Sequence, residues 1–170
     1  MSTTATTRSA AARLDSPLGM LTLVATEEGL TRLDFGTEPP AEAVLVHPGE
    51  HPVLSLAAGE LAAYFAGRLR TFTVPLAPAG TAFQLQAWAY LREIPFGQTR
   101  SYGQQARALD APAATRAVGR ANGQNPVGVI VPCHRVVGAT GRLTGYAGGI
   151  ERKAWLLEHE RAVTGTGLFG

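Results

Sequence analysis

The chain has 170 residues, 45% hydrophobic and 16% charged, which is enough to bury a core and too apolar for a disordered segment. No stretch approaches the roughly 20 apolar residues of a membrane helix, and residues 1–13 carry no apolar core of a secretory signal, so a cytoplasmic protein with no membrane partner is expected. The formal charge of +2 hides a split: residues 1–80 hold five basic and eight acidic side chains, a net of −3, and residues 81–170 hold ten and five, a net of +5.

In chain order, residues 1–12 are rich in Ser, Thr and Ala without periodicity and read as a loose tail. Residues 20–26 and 30–35 alternate apolar and polar positions around Glu27, Glu28 and Gly29, the pattern of a β-hairpin. Leu54, Ala58, Leu61 and Phe65 fall at helical spacing, and residues 71–76 read as a short strand. Residues 13–76 are thus predicted to form a small α/β domain of antiparallel sheet plus helix, with residues 77–80, Ala-Pro-Ala-Gly, as the linker.

From residue 81 to 165 the signals become helical. Thr81 with Gln84, and Ser101 with Gln104, have the form of capping boxes, each opening a helix. The second of these helices, a break at residues 110–112 and a further helix with Ala114, Ala117, Val118 and Ala121 inward make a helix-turn-helix pattern. Its last helix would carry Arg116, Arg120 and Gln124 outward, as a recognition helix does. Between Ile94 and Ile150 six arginines, Arg135 among them, face only Asp110, so a polyanion would be drawn there. Residues 127–131 form an apolar run leading to Pro132-Cys133, residues 135–146 read as a Gly-punctuated hairpin that could serve as a wing, and residues 150–160 as a closing helix with Ile150, Ala154 and Leu157 inward. The fold class is α+β: a small α/β domain followed by a mostly helical, winged-helix-like domain.

Cys133 is the chain's only cysteine, which excludes an internal disulfide and a cysteine-rich zinc site; no metal and no cofactor are expected. A thiol with a pKa near about 8.5 needs a cation, a helix start or a base to react as thiolate at neutral pH. His134 and Arg135 are adjacent in sequence, yet on a strand neighbouring side chains point to opposite faces, so His134 assists only if the backbone bends or a water bridges the two. On these residues alone a structural Cys-His pair and a catalytic one both stay open.

The string Pro132-Cys133-His134-Arg135-Val136-Val137 resembles the active-site signature of the O6-alkylguanine-DNA alkyltransferases. The likeness runs from about Thr81 to Glu160 and takes in Ser101-Tyr102, Arg116-Ala117-Val118-Gly119, Asn125-Pro126, Gly145-Tyr146 and Gly148-Gly149. The N-terminal half is similar only loosely, at Ser16-Pro17-Leu18-Gly19 and Tyr64-Phe65-Ala66-Gly67, and the resemblance implies a ribonuclease-H-like fold there. It further implies direct-reversal DNA repair, in which a base flipped through the minor groove gives its O6-alkyl group irreversibly to the protein; acceptance of O4-alkylthymine stays open.

Residue by residue, the resemblance makes Cys133 the acceptor, His134 a base acting through water, Glu160 the group that orients His134, Tyr102 a proton donor to the departing guanine and Asn125 the holder of the turn before the thiol. Arg116 fills the gap left by the flipped base, with Thr115, Gly119, Asn122 and Ala139 against the DNA. Val136, Tyr146 and Ala147 form the substrate pocket. Ala147 departs from the pattern, since many relatives carry a serine whose hydroxyl reaches the guanine oxygen. The implied partner is double-stranded DNA containing O6-alkylguanine and the implied assembly a monomer, with cooperative binding along DNA left open. A damage-binding protein without transferase activity, a thiol hydrolase and a plain helix-turn-helix regulator are the competing readings; the first lacks an acceptor cysteine, the second leaves the arginine-bearing helix unexplained, and the third has no need of the Pro132–Arg135 string.

Overall fold

The computed structural model describes residues 8–165, which divide into compact units after Pro78. In the first unit, strands β1 (Ala10–Leu14), β2 (Leu21–Ala25), β3 (Leu30–Phe35) and β4 (Val44–Leu45) form one sheet in the order β3-β2-β1-β4. β1, β2 and β3 are antiparallel neighbours as predicted, and a further short strand not foreseen in the sequence, β4, joins β1 in parallel. Ala10, Ala11 and Ala12, predicted as loose tail, are strand: Ala11 and Ala12 are fully buried and pair with Val24 and Leu23. Small side chains beneath a packed sheet leave no local periodicity to read. Residues 1–7 of that predicted tail lie outside the described residues.

Helix α1 (Pro52–Phe65) covers β1, β2 and β3, burying Val53, Leu54, Ala57, Leu61 and Tyr64. Truncating Leu54 or Leu61 to Ala in such a setting typically costs about 2–5 kcal/mol. The strand predicted over residues 71–76 is absent and only an isolated Leu30–Leu76 bridge remains. The Glu60 carboxylate takes the backbone N–H groups of Thr73 and Val74, and Pro75 has none to give, so no ladder can propagate. Gly29 is needed where this segment passes, because a Cβ there would stand 2.8 Å from the Pro75 carbonyl oxygen.

The second unit holds α2 (Ala82–Leu91), β5 (Arg100–Ser101), α3 (Tyr102–Ala108), α4 (Thr115–Gly123), β6 (Val136–Val137) and α5 (Ile150–Thr164). Both predicted capping boxes form, with Thr81 and Ser101 each accepting from the backbone N–H of the Gln three residues on. α3 and α4 are the helix-turn-helix pair, and α2 packs behind them, its Trp88 Nε1 donating to the Ala121 carbonyl at 2.8 Å. A buried amide pair locks α3 to α4: Gln105 Nε2 donates to Asn122 Oδ1 at 3.0 Å and Asn122 Nδ2 to Gln105 Oε1 at 2.8 Å.

The predicted wing is not a hairpin. β6 is two residues long and pairs in parallel with β5, and residues 138–142 close only a turn through the Gly138 N–H on the Arg142 carbonyl. α5 buries Leu157 as predicted, but Ile150 is 52% exposed and Ala154 only half-buried, and the buried stripe is Lys153, Leu156, Leu157 and Glu160. Two charged residues belong to that stripe, which an apolar count cannot find. No described helix is long and apolar enough to cross a membrane.

Candidate active site

The apolar run over residues 127–131 turns back sharply. Val129 has φ +70°, a left-handed conformation that a β-branched residue adopts at a cost on the order of 1–3 kcal/mol. Asn125 holds this turn closed: its Nδ2 donates to the Val131 carbonyl at 2.8 Å and its Oδ1 accepts from the Val127 N–H at 3.0 Å. The chain leaves Pro132 with ψ 63° and coils into a 3-10 turn over Cys133–Arg135. The backbone thus bends at the place where a bend is required for Cys133 and His134 to serve one site.

His134 is fully buried and its Nε2 lies 2.8 Å from Glu160 Oε2. Glu160, itself 1% exposed, is gripped from the other side by Arg135, with Nε on Oε1 at 2.9 Å and an Nη on Oε2 at 3.1 Å, and it accepts the Gly97 N–H at 3.1 Å. Arg135 also donates to the Ile94 carbonyl at 2.7 Å and stacks its guanidinium over Phe96. It was counted among arginines open to a polyanion; at 6% exposure it is instead an internal clamp, because the Glu160 carboxylate needs a permanent counter-charge to be buried at all.

Burial pushes the Glu160 carboxyl up, and the hydrogen bonds and charges of His134 and Arg135 outweigh it, holding Glu160 well below the usual carboxylate range. Burial drives His134 down, against the pull of Glu160. In this coupled pair the permanent charge of Arg135 decides: Glu160 is the anion and His134 a neutral imidazole donating from Nε2. Nδ1 then carries the lone pair, and it has no protein hydrogen-bond partner. Cys133 is 8% exposed, and burial raises its thiol above the ordinary value, partly offset by a hydrogen bond from Asn125 and the charge of Lys153. The thiol is therefore neutral at rest and needs a base.

Lys153 was missed in the sequence. Its Nζ donates to the Thr144 carbonyl at 3.1 Å and stands 5.8 Å from the centre of the Tyr102 ring. Burial lowers its pKa, and Cys133 raises it in part when the sulfur is a thiolate. The available signal was spacing: Lys153 and Glu160 are seven apart, on one helix face with Leu156 and Leu157. Thr144 was likewise missed; its hydroxyl donates to the Tyr102 hydroxyl at 2.9 Å.

Of the predicted site residues, Cys133, His134, Glu160, Asn125 and Tyr102 are brought together directly or through Lys153 and Thr144. Tyr146 joins them electrostatically, since burial and the Cys133 thiolate, once formed, push its hydroxyl up. Val136 is fully buried, and Ala147 is exposed ahead of α5. Thr115 and Arg116 are exposed at the start of α4, and Ala139 is exposed in the turn after β6. Gly119 faces Tyr102, where an added Cβ would only touch the ring, at 3.8 Å. Asn122 differs from its predicted DNA contact: it is 6% exposed and its amide is spent on Gln105.

Residues 82–162 match the DNA-binding domain of 6-O-methylguanine DNA methyltransferase, and residues 11–78 match its ribonuclease-like domain. The chain belongs to the 6-O-methylguanine DNA methyltransferase family. The loose N-terminal likeness is thus a full domain match. The Mycobacterium tuberculosis methylated-DNA–protein-cysteine methyltransferase is 51% identical over 150 residues, covering 88% of this chain and 90% of the relative. The Methanosarcina acetivorans protein of the same name is 46% identical over 151 residues, covering 86% and 94%. The solved structure of Mycobacterium tuberculosis OGT in complex with DNA has 47% identity and a TM-score of 0.84, covering 90% of this methyltransferase and 93% of that chain.

Proposed function

We propose that this methyltransferase repairs O6-alkylguanine in duplex DNA by transferring the alkyl group to Cys133, once per molecule. The observation that carries the assignment is the buried His134–Glu160 contact of 2.8 Å beside the only cysteine. With Nε2 committed to Glu160, the His134 Nδ1 takes the thiol proton through a water. The sulfur attacks the alkyl carbon, the carbon–oxygen bond breaks, and the electron pair leaves with the guanine. Tyr102 supplies a proton to the ring nitrogen, so no free anion has to form. The thioether product does not turn over.

DNA meets the second unit, whose net charge of +5 contrasts with −3 before residue 81. Thr115 and Arg116 open α4 on its exposed side, which suits Arg116 for the space a flipped base leaves and Thr115, Gly119 and Ala139 for the backbone around it. Val136, Tyr146 and Ala147 would line the base pocket. A monomer acting in the cytoplasm, whose reducing conditions keep a lone thiol free, fits the single cysteine.

Arg116→Ala is the test of this docking. It is expected to slow repair of an O6-methylguanine duplex at least tenfold more than it slows reaction with free O6-benzylguanine, because only the duplex requires extrusion, which costs a few kcal/mol. Equal losses on both substrates would refute the role of Arg116 in base flipping.

A further inference from the structure

Thr144 occupies a junction that neither the acceptor nor the recognition helix explains. Its hydroxyl donates to the Tyr102 hydroxyl at 2.9 Å, while its carbonyl accepts from Lys153 Nζ at 3.1 Å. Both ends of one residue are thus tied to two groups of the site. Tyr102 is flanked on other sides as well, with Lys153 Nζ 5.8 Å from its ring centre and Gly119 leaving room at its ring edge, where an added Cβ would come to 3.8 Å. A phenol hydroxyl has one proton to give and lone pairs to fill. When Thr144 fills a lone pair, the phenol proton is left to point elsewhere, and the oxygen meets a donor already in place as that proton departs. Hydrogen bonds arranged in such a chain strengthen one another.

We propose that Thr144 is a positioning residue for proton delivery to the departing guanine: its hydroxyl aims the Tyr102 proton at the base and supports the phenol oxygen as the proton leaves, while its carbonyl, fixed by Lys153, sets its own position. The inference rests on the reading of Tyr102 as the proton donor. In the balanced step, the sulfur–carbon bond forms, the carbon–oxygen bond breaks with its electron pair moving into the purine, and the Tyr102 proton goes to the ring nitrogen. Tyr102 is reprotonated from solvent, and the proton lost by the thiol equals the one gained by guanine. Thr144 keeps its own proton throughout. A base arriving by its minor-groove edge presents N3 as the ring nitrogen on that side.

The test compares duplexes carrying O6-methylguanine and O6-methyl-3-deazaguanine, which has CH in place of N3. Single-turnover rates are measured with the wild type, Thr144→Val, Thr144→Ala, Thr144→Ser and Tyr102→Phe, all at a temperature where each is folded. Loss of one hydrogen bond in the transition state corresponds to about a tenfold rate change. The expected result is about a tenfold loss for Thr144→Val and Thr144→Ala on O6-methylguanine, a larger loss for Tyr102→Phe, recovery in Thr144→Ser, and no loss in any variant on the 3-deaza duplex beyond that of the wild type. If Tyr102→Phe discriminates between the duplexes and the Thr144 variants do not, whether they match the wild type or slow both duplexes equally, the Thr144 inference falls and the donor reading stands. If Tyr102→Phe slows both duplexes equally, the donor reading fails and the Thr144 role with it.

Discussion

Glu160 is the residue on which the site balances. It serves His134 with one oxygen and is shared with Arg135 through both, so a single buried carboxylate both orients the imidazole proposed as base and neutralises the cation that made its burial possible. Glu160→Gln keeps the shape and removes the charge. It is expected to slow methyl transfer by about 10²–10⁴-fold, the range for losing general-base assistance. It also leaves Arg135 buried without a counter-charge, which should cost about 3–5 kcal/mol of stability in chemical denaturation. A Glu160→Gln variant that transfers methyl at the wild-type rate would remove His134 from the reaction. The sequence offered Cys133, His134 and Glu160 through the family signature, but Arg135 read as one more surface arginine. Composition records that a residue is basic and says nothing of a carboxylate 25 positions away that draws it inside.

At the scale of elements, the recognition helix is fixed by contacts that have no periodic signature. The Gln105–Asn122 pair joins α3 to α4 with two hydrogen bonds in a buried setting, and Trp88 ties α4 to α2. Gln105→Leu strands the Asn122 amide and is expected to destabilise the protein by about 1–3 kcal/mol. Adding Asn122→Leu should recover part of that loss, as read from denaturation midpoints; a double variant less stable than Gln105→Leu alone would contradict the pairing. What was legible at this scale is what local rules determine: the capping boxes at Thr81 and Ser101, the hairpin around Gly29, and the helix-turn-helix spacing. What was not legible depends on remote partners. Val127, Val129, Ile130 and Val131 favour strand by propensity, and only the family signature, not any local rule, pointed to Asn125, whose side chain captures both ends of the turn. Residues 71–76 lose their ladder to Glu60 in the same way.

For the whole molecule, the buried ionisable groups set the response to acid. Glu160 binds its proton less tightly folded than unfolded, so its contribution is present above the ordinary carboxylate pKa of about 4 and is lost as pH falls from there. His134 is also depressed, so below about 6.5 the unfolded chain takes up a proton that the buried imidazole refuses. Both shifts have the same sign, and Tm is expected to fall as pH drops below about 6.5 and more steeply near 4. A Tm that rises between pH 7 and 5 would contradict the burial of neutral His134. The charge contrast between the two halves of the chain is carried by the sequence itself and marks the half that holds the thiol as the basic one. The central claim remains the identity of the acceptor, and the most direct measurement is peptide-mapped mass spectrometry after incubation with an excess of duplex containing one O6-methylguanine. The expected result is a gain of one methylene unit on the peptide bearing Cys133, saturating at one per chain and absent in Cys133→Ser. A chain that binds the duplex without gaining mass, or that carries the methyl group on any other residue, would contradict it.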